Sequence, residues 1–284
     1  MTMKKSLLFT IVAVLGVSIC SGLAAFAAGK GPETKNVAVK NFSGVNVSNA
    51  IEVVYTPGQN VSAVIEAPAA IMPYVHFDQR GEMLNISIRK NNTNLRNCKV
   101  KVRLTSPLIN TYVLSTASEV TVKGALDASN RDVSVTLSQA SEIDFGTVSC
   151  RTFKVNGSGA SSVDVDLLST GDLSLGLSGA SKTEIDKVNT NTISATLTGA
   201  SAVELEGVRA SSVTVGASGA SKAELDGTAT QVTLNASGAS SIKAGKLMAD
   251  QGKADASGAS SVVCNVSGKF STTTSGGSSI KNLK

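Results

Sequence analysis

Nine acidic residues of this 284-residue chain fall at fixed offsets from an alanine that recurs about every twenty residues. Four positions past the alanine lie Asp144, Asp164, Glu184, Glu204 and Glu224; six past lie Asp166, Asp186, Glu206 and Asp226. If equal offsets stack, these side chains form two outward files with carboxylates about 5 Å apart. Such files suit a hard cation, and Asp164, Asp166, Glu184, Asp186, Glu204, Glu206, Glu224 and Asp226 are the candidate ligands for Ca²⁺, which in turn would bridge to acidic or hydroxyl-rich glycans. The competing reading is a solvated face that discourages sideways aggregation of sheets. It is favoured, since loops offering carbonyl ligands are not evident. Lys182 and Lys222, two past the alanine, are placed to lean across and relieve repulsion, and salt screens more.

Other chemistry is sparse. His76 is the sole histidine, and G-x-S-x-G is missing, because "GASGA" at Gly216 has its glycine one place early. No Gly-rich phosphate loop with a following Lys and Ser/Thr occurs. Beyond Cys20, the cysteines Cys98, Cys150 and Cys264 are odd in number and lack C-x-x-C spacing, so they read as small buried hydrophobes. No catalytic or cofactor-binding residue is assigned. Lyases and hydrolases built on β-helices need grooves made by long loops, whereas repeats of 18 to 23 residues leave almost no loop material. Aromatic platforms for sugars are scarce too, with Phe145, Phe153 and Phe270 at inward positions.

The elements that must position these side chains are strands. The recurring alanine is Ala117, Ala140, Ala160, Ala180, Ala200, Ala220, Ala239 and Ala259, with a last copy at Gly277, mostly within Ser-Gly-Ala-Ser. A period near twenty signals a solenoid whose units bury their apolar faces by stacking. Apolar residues alternate on either side of the motif: Val133, Val135 and Leu137 before it in one unit, Val203 and Leu205 after it in another. A third contact falls at Val148, Leu168, Val188, Val208 and Leu247. Each unit is therefore one coil of a parallel β-helix, all-β, with Ser-Gly-Ala-Ser as its corner. Glycine supplies positive φ there, and the serines are expected to bond corner backbone groups and one another.

Residues 28–115 alternate less regularly and read as irregular first coils or a capping β-layer, continuous with the regular coils of 116–284 as one domain. This segment holds the basic excess, ten Lys/Arg against five Asp/Glu. Residues 1–27 read as a signal peptide: Lys4 and Lys5, an apolar run from Leu7 to Ile19, and a small-residue site at Ala25-Phe26-Ala27. Lipidation at Cys20 is the less favoured alternative, because Ile19 is bulky. Loss of both lysines with the leader lowers the formal charge from +5 to +3, and nothing there demands nucleic acid.

The exported character, the opening "FSGVNVSNAIEVVYTPG" (Phe42 to Gly58) and the serial Ser-Gly-Ala-Ser corners together resemble the putative auto-transporter adhesin, head GIN domain family, over roughly Val37 to Lys281. The resemblance implies a right-handed parallel β-helix at the cell envelope and supplies no catalytic residues. With the sequence stopping at Lys284, no translocator barrel is expected. The reading is a non-enzymatic secreted or envelope rod, an adhesin or surface scaffold, with surface glycans or other envelope proteins as partners and no transmembrane segment after leader removal. A carbohydrate-binding or carbohydrate-cleaving β-helix and a self-assembling rod are the alternatives. The oligomeric state is left open.

Overall fold

The computed structural model describes residues 32–89 and 99–284; the leader, Cys20 and Cys98 lie outside them. The described chain is a β-solenoid of about nine turns. In the regular part the strands are β9 (Glu119–Leu137), β10 (Glu142–Gly157), β11 (Ser162–Leu177), β12 (Lys182–Ile185), β13 (Val188–Asn189), β14 (Thr192–Leu197), β15 (Ala202–Ala217), β16 (Lys222–Ala236), β17 (Ser241–Ala256), β18 (Ser261–Val266), β19 (Phe270–Thr274) and β20 (Ser279–Asn282). Each pairs in parallel with its counterpart one coil away, as Val163 does with Ile143 and Thr183, or Leu197 with Leu177 and Ala217. Inward positions are those the alternation picks out, and Val133, Leu173, Ile193, Val203 and Leu247 are each at most 2 % exposed. Aromatic rings concentrate in the early coils, where Tyr112, Phe145 and Phe153 meet edge to face at 5.3 and 5.7 Å.

The corner geometry explains the repeat. Gly159, Gly179, Gly199, Gly219, Gly238 and Gly258 all have φ near +70°, and a Cβ on Gly199 would lie 2.9 Å from the carbonyl oxygen of Gly179. Glycine is thus required twice, for a left-handed backbone and for the close stacking of corners. Corners without it take a different form. Thr116 with Ala117 and Gln139 with Ala140 are left-handed at both residues, and the alanine amide then points the other way along the rod: Ala117 donates forward to Gln139, whereas Ala180 donates back to Gly159.

The serine after each alanine points inward. Ser118, Ser181, Ser201, Ser221 and Ser260 are at most 2 % exposed, and each hydroxyl donates to the carbonyl three residues earlier at 2.7 to 2.9 Å. Of the two expected bonding modes the backbone one is found: apart from Ser161, whose buried hydroxyl has no partner, the stacked serines bond corner carbonyls and not one another.

The N-terminal part combines both expected forms, coils and a capping layer, and the coils do not stack in chain order. Its strands are β1 (Glu33–Val37), β2 (Gly44–Val47), β3 (Ile51–Pro57), β4 (Ser62–Ala67), β5 (Val75–Arg80), β6 (Met83–Ile88), β7 (Val100–Ser106) and β8 (Thr111–Leu114). The coil β2–β3 is sandwiched. On one side β2 and β3 pair with β8 and β9; on the other they pair with β6 and β7, all in parallel. Beyond β6 and β7 the capping layer is antiparallel, with β5 on β6 and β4 on β7, then β1 on β4. At the far end, the inward positions of the last coil mix apolar Phe270 and Ile280, packed on the core, with polar residues. Thr272, Thr274 and Asn282 stack on Ala254, Ala256 and Cys264, and the Asn282 amide closes on both the N–H and the carbonyl of Val266.

Candidate functional face

The sheet that follows the corner carries the acidic residues. Asp144, Asp164, Glu184, Glu204 and Glu224 stand in register in one continuous file, and the next position is Lys243. In the second file, flanking pairs keep Asp166, Asp186 and Glu206 one coil apart, and irregularities interrupt the ladder around them. Asp186 lies in the bend between β12 and β13, and register shifts fall between Leu205 and Val208 and between Glu224 and Asp226, which sets Asp226 opposite Lys246. The cause is the third side of the coil: one residue gained or lost at a bulge moves every later side chain.

Lysines divide the file electrostatically. Lys182 contacts Glu184 at 2.5 Å and Glu204 at 3.9 Å, while Glu224 is gripped by Lys222 at 2.7 Å and Lys243 at 3.1 Å. Accordingly the hydrogen bond from Lys222 holds the Glu224 carboxyl below its ordinary value, whereas Glu204 is raised, by burial first and the Glu184 charge second. Both lysines thus lean across as the spacing predicts. Of the eight residues singled out for Ca²⁺, Glu184, Glu204 and Glu224 are in contact with lysines.

The tightest acidic group lies earlier in the rod. Glu142, Asp144 and Asp164 bring carboxylate oxygens within 4.8 Å of one another. Burial pushes Asp144 up to about 6, with the charges of Glu142, Asp164 and Glu119 adding to the effect and Lys123 opposing it; Glu142 and Asp164 are raised as well, again mainly by burial. Glu142 belongs to a neighbouring file that stacks on Glu119 and Glu52, and Lys101 pairs with Glu52 at its end. The offset two past the alanine is Glu119, Glu142, Ser162, Lys182, Ala202 and Lys222 in successive coils, so the acidic character of this neighbouring file ends at Glu142.

Remaining candidates are placed simply. His76 is exposed on the outer cap strand β5, and Cys150 and Cys264 are free and buried. Among the described residues no helix is long and apolar enough to cross a membrane.

Fold and face together define a repetitive β-solenoid with one flat, charge-striped side. The family described as putative auto-transporter adhesin, head GIN domain matches residues 41–204 and 173–284, and the chain belongs to it. The fold is similar to crystal structures of a putative adhesin from Parabacteroides merdae ATCC 43184 (14 % identity, TM-score 0.66, covering 89 % of this chain and 97 % of that one) and of another from Parabacteroides distasonis ATCC 8503 (15 %, 0.66, 90 % and 98 %). A putative adhesin from Bacteroides fragilis NCTC 9343 is similar at 15 % identity and TM-score 0.54, covering 89 % and 98 %. No curated protein matches the chain.

Proposed function

We propose that the chain is a non-enzymatic adhesin, exported by its N-terminal leader and displayed at the cell envelope, where its long flat faces contact surface glycans or neighbouring envelope proteins. The observation that carries this reading is the shortness of every regular coil: successive partners in register are only 17 to 23 residues apart, and strands occupy nearly all of that length. Little chain is left for the loops from which β-helix enzymes build clefts, and what remains is extended surface. Family membership supports the same reading.

The test is retention of the purified protein, cleaved after Ala27, on immobilised polysaccharides and on envelope fractions, alongside turnover assays on the same polysaccharides. Retention without turnover is the expected result. Depolymerisation of any substrate would overturn the non-enzymatic reading, and no retention on any surface would overturn the adhesin.

A further inference from the structure

A second concentration of polar side chains lies away from the acidic file, on the outer face of the N-terminal strands. Pairing within the β5–β6 hairpin sets Asp78 opposite Asn85 and His76 opposite Ser87, and the parallel pairing of β6 with β2 sets Asn46 beside Asn85. Val45, Val47, Leu84, Ile86 and Ile88 fill the inward positions, so alternation turns this polar set outward. Asn46, Ser48, Asp78, Arg80, Asn85 and Arg89 line a concavity of about 240 Å³.

Its members are held in place. Asn46 Nδ2 donates to Asn85 Oδ1 at 3.0 Å, Asn85 Nδ2 donates to the Asp78 carbonyl at 3.0 Å, and Arg80 Nε donates to Asp78 Oδ2 at 2.9 Å. Arg80 is thereby matched to a carboxylate. Arg89 is exposed, and none of the ion pairs found among the described residues includes it. One guanidinium is left over in a hollow whose other polar groups are two amides, two hydroxyls and the paired Arg80 and Asp78. The volume falls below the several hundred Å³ of pockets for drug-sized ligands and matches a single ring. A planar guanidinium binds carboxylates through two parallel N–H donors, and amides with hydroxyls satisfy groups that both donate and accept.

We propose that this concavity is a subsite for an acidic monosaccharide unit of the uronic acid type, its carboxylate on Arg89 and its ring hydroxyls on Asn46, Ser48, Asn85 and Asp78. The proposal rests on the adhesin reading, to which it adds a ligand class.

Calorimetric or NMR titration of the purified protein with sodium glucuronate tests it, with glucose and inorganic phosphate as comparisons. Glucuronate is expected to bind at least tenfold more tightly than either, Arg89→Gln is expected to weaken it at least tenfold without moving the melting temperature, and Asn85→Ala is expected to weaken it at least tenfold with some loss of stability from the bonds to Asn46 and Asp78. No glucuronate binding, equal binding of phosphate or glucose, or an unaltered affinity in Arg89→Gln would overturn the subsite. Retention on a uronate-bearing polysaccharide surface, measured in parallel, separates the two ideas. If wild type and Arg89→Gln are retained equally, the subsite fails and the adhesin reading stands; if free glucuronate binds but no surface retains the protein, the subsite stands and the adhesin reading fails.

Discussion

The Ala200 amide donates to the Gly179 carbonyl at 2.7 Å, one coil down, and the same bond recurs between Ala220 and Gly199. Gly199 stands between them at φ +73°. Gly199→Val forces a β-branched residue into a left-handed backbone and drives its Cβ onto the Gly179 carbonyl, so a loss on the order of 3 kcal/mol is expected. Denaturant unfolding measures it; a loss below about 1 kcal/mol would mean that the corners are not tightly stacked.

Thr183 interrupts an inward column of apolar residues. It stacks between Val163 and Val203, is fully buried, and its hydroxyl has no hydrogen-bond partner. Thr183→Val keeps the shape and removes the orphan, so stability is expected to rise by about 1 to 2 kcal/mol. A lower melting temperature would show that the hydroxyl is satisfied after all.

Two glutamates one coil apart are predicted to respond oppositely to the same substitution. Glu204→Gln removes a charge raised by burial and by Glu184, and leaves stability unchanged or slightly higher. Glu224→Gln breaks contacts with Lys222 and Lys243 and costs up to about 1 kcal/mol, the scale of exposed ion pairs, falling further at high salt. Equal effects from the two would mean that the lysines do not discriminate along the file.

The cluster of Glu142, Asp144 and Asp164 sets a pH dependence. Their folded-state values are raised, so the folded protein binds more protons than the unfolded chain between the ordinary Asp value of 3.8 and about 6. Stability is therefore greatest below that interval as far as these groups are concerned, and declines as the pH rises through it. Glu224 and Asp255 are lowered instead, and the stability they add is lost at more acidic pH, beneath their ordinary values. Asp144→Asn is expected to flatten the decline between about pH 4 and 6; an unaltered slope in melting temperature would remove the cluster as its source.

The regular coils were legible because equal offsets in sequence become vertical neighbours: reading Asp164, Glu184 and Glu204 at four past the alanine is already reading the file. Two things were hidden. Glu142 sits where later coils have Ser162 or Lys182, so its place beside Asp144 and Asp164 shows only when alternation within one strand is combined with stacking between coils. The order of the first coils was hidden for a related reason. Pairing of Ile51 with Val100 on one edge and of Val53 with Val120 on the other is decided by which apolar strands fit edge to edge, and nothing local to Val45 or Ile51 announces that a later segment passes to the far side.

That interleaving bears on how the molecule is made. A ribosome or export channel delivers Gly44–Pro57 first, yet both flanks of that coil are filled only by segments that follow, the last of them ending at Val122. One flank can be filled only once Ser106 has been delivered, and the other only once Val122 has. Folding of this part must wait for distant chain, whereas each later corner can lock onto the one just finished, so assembly starts slowly and then proceeds like a zip.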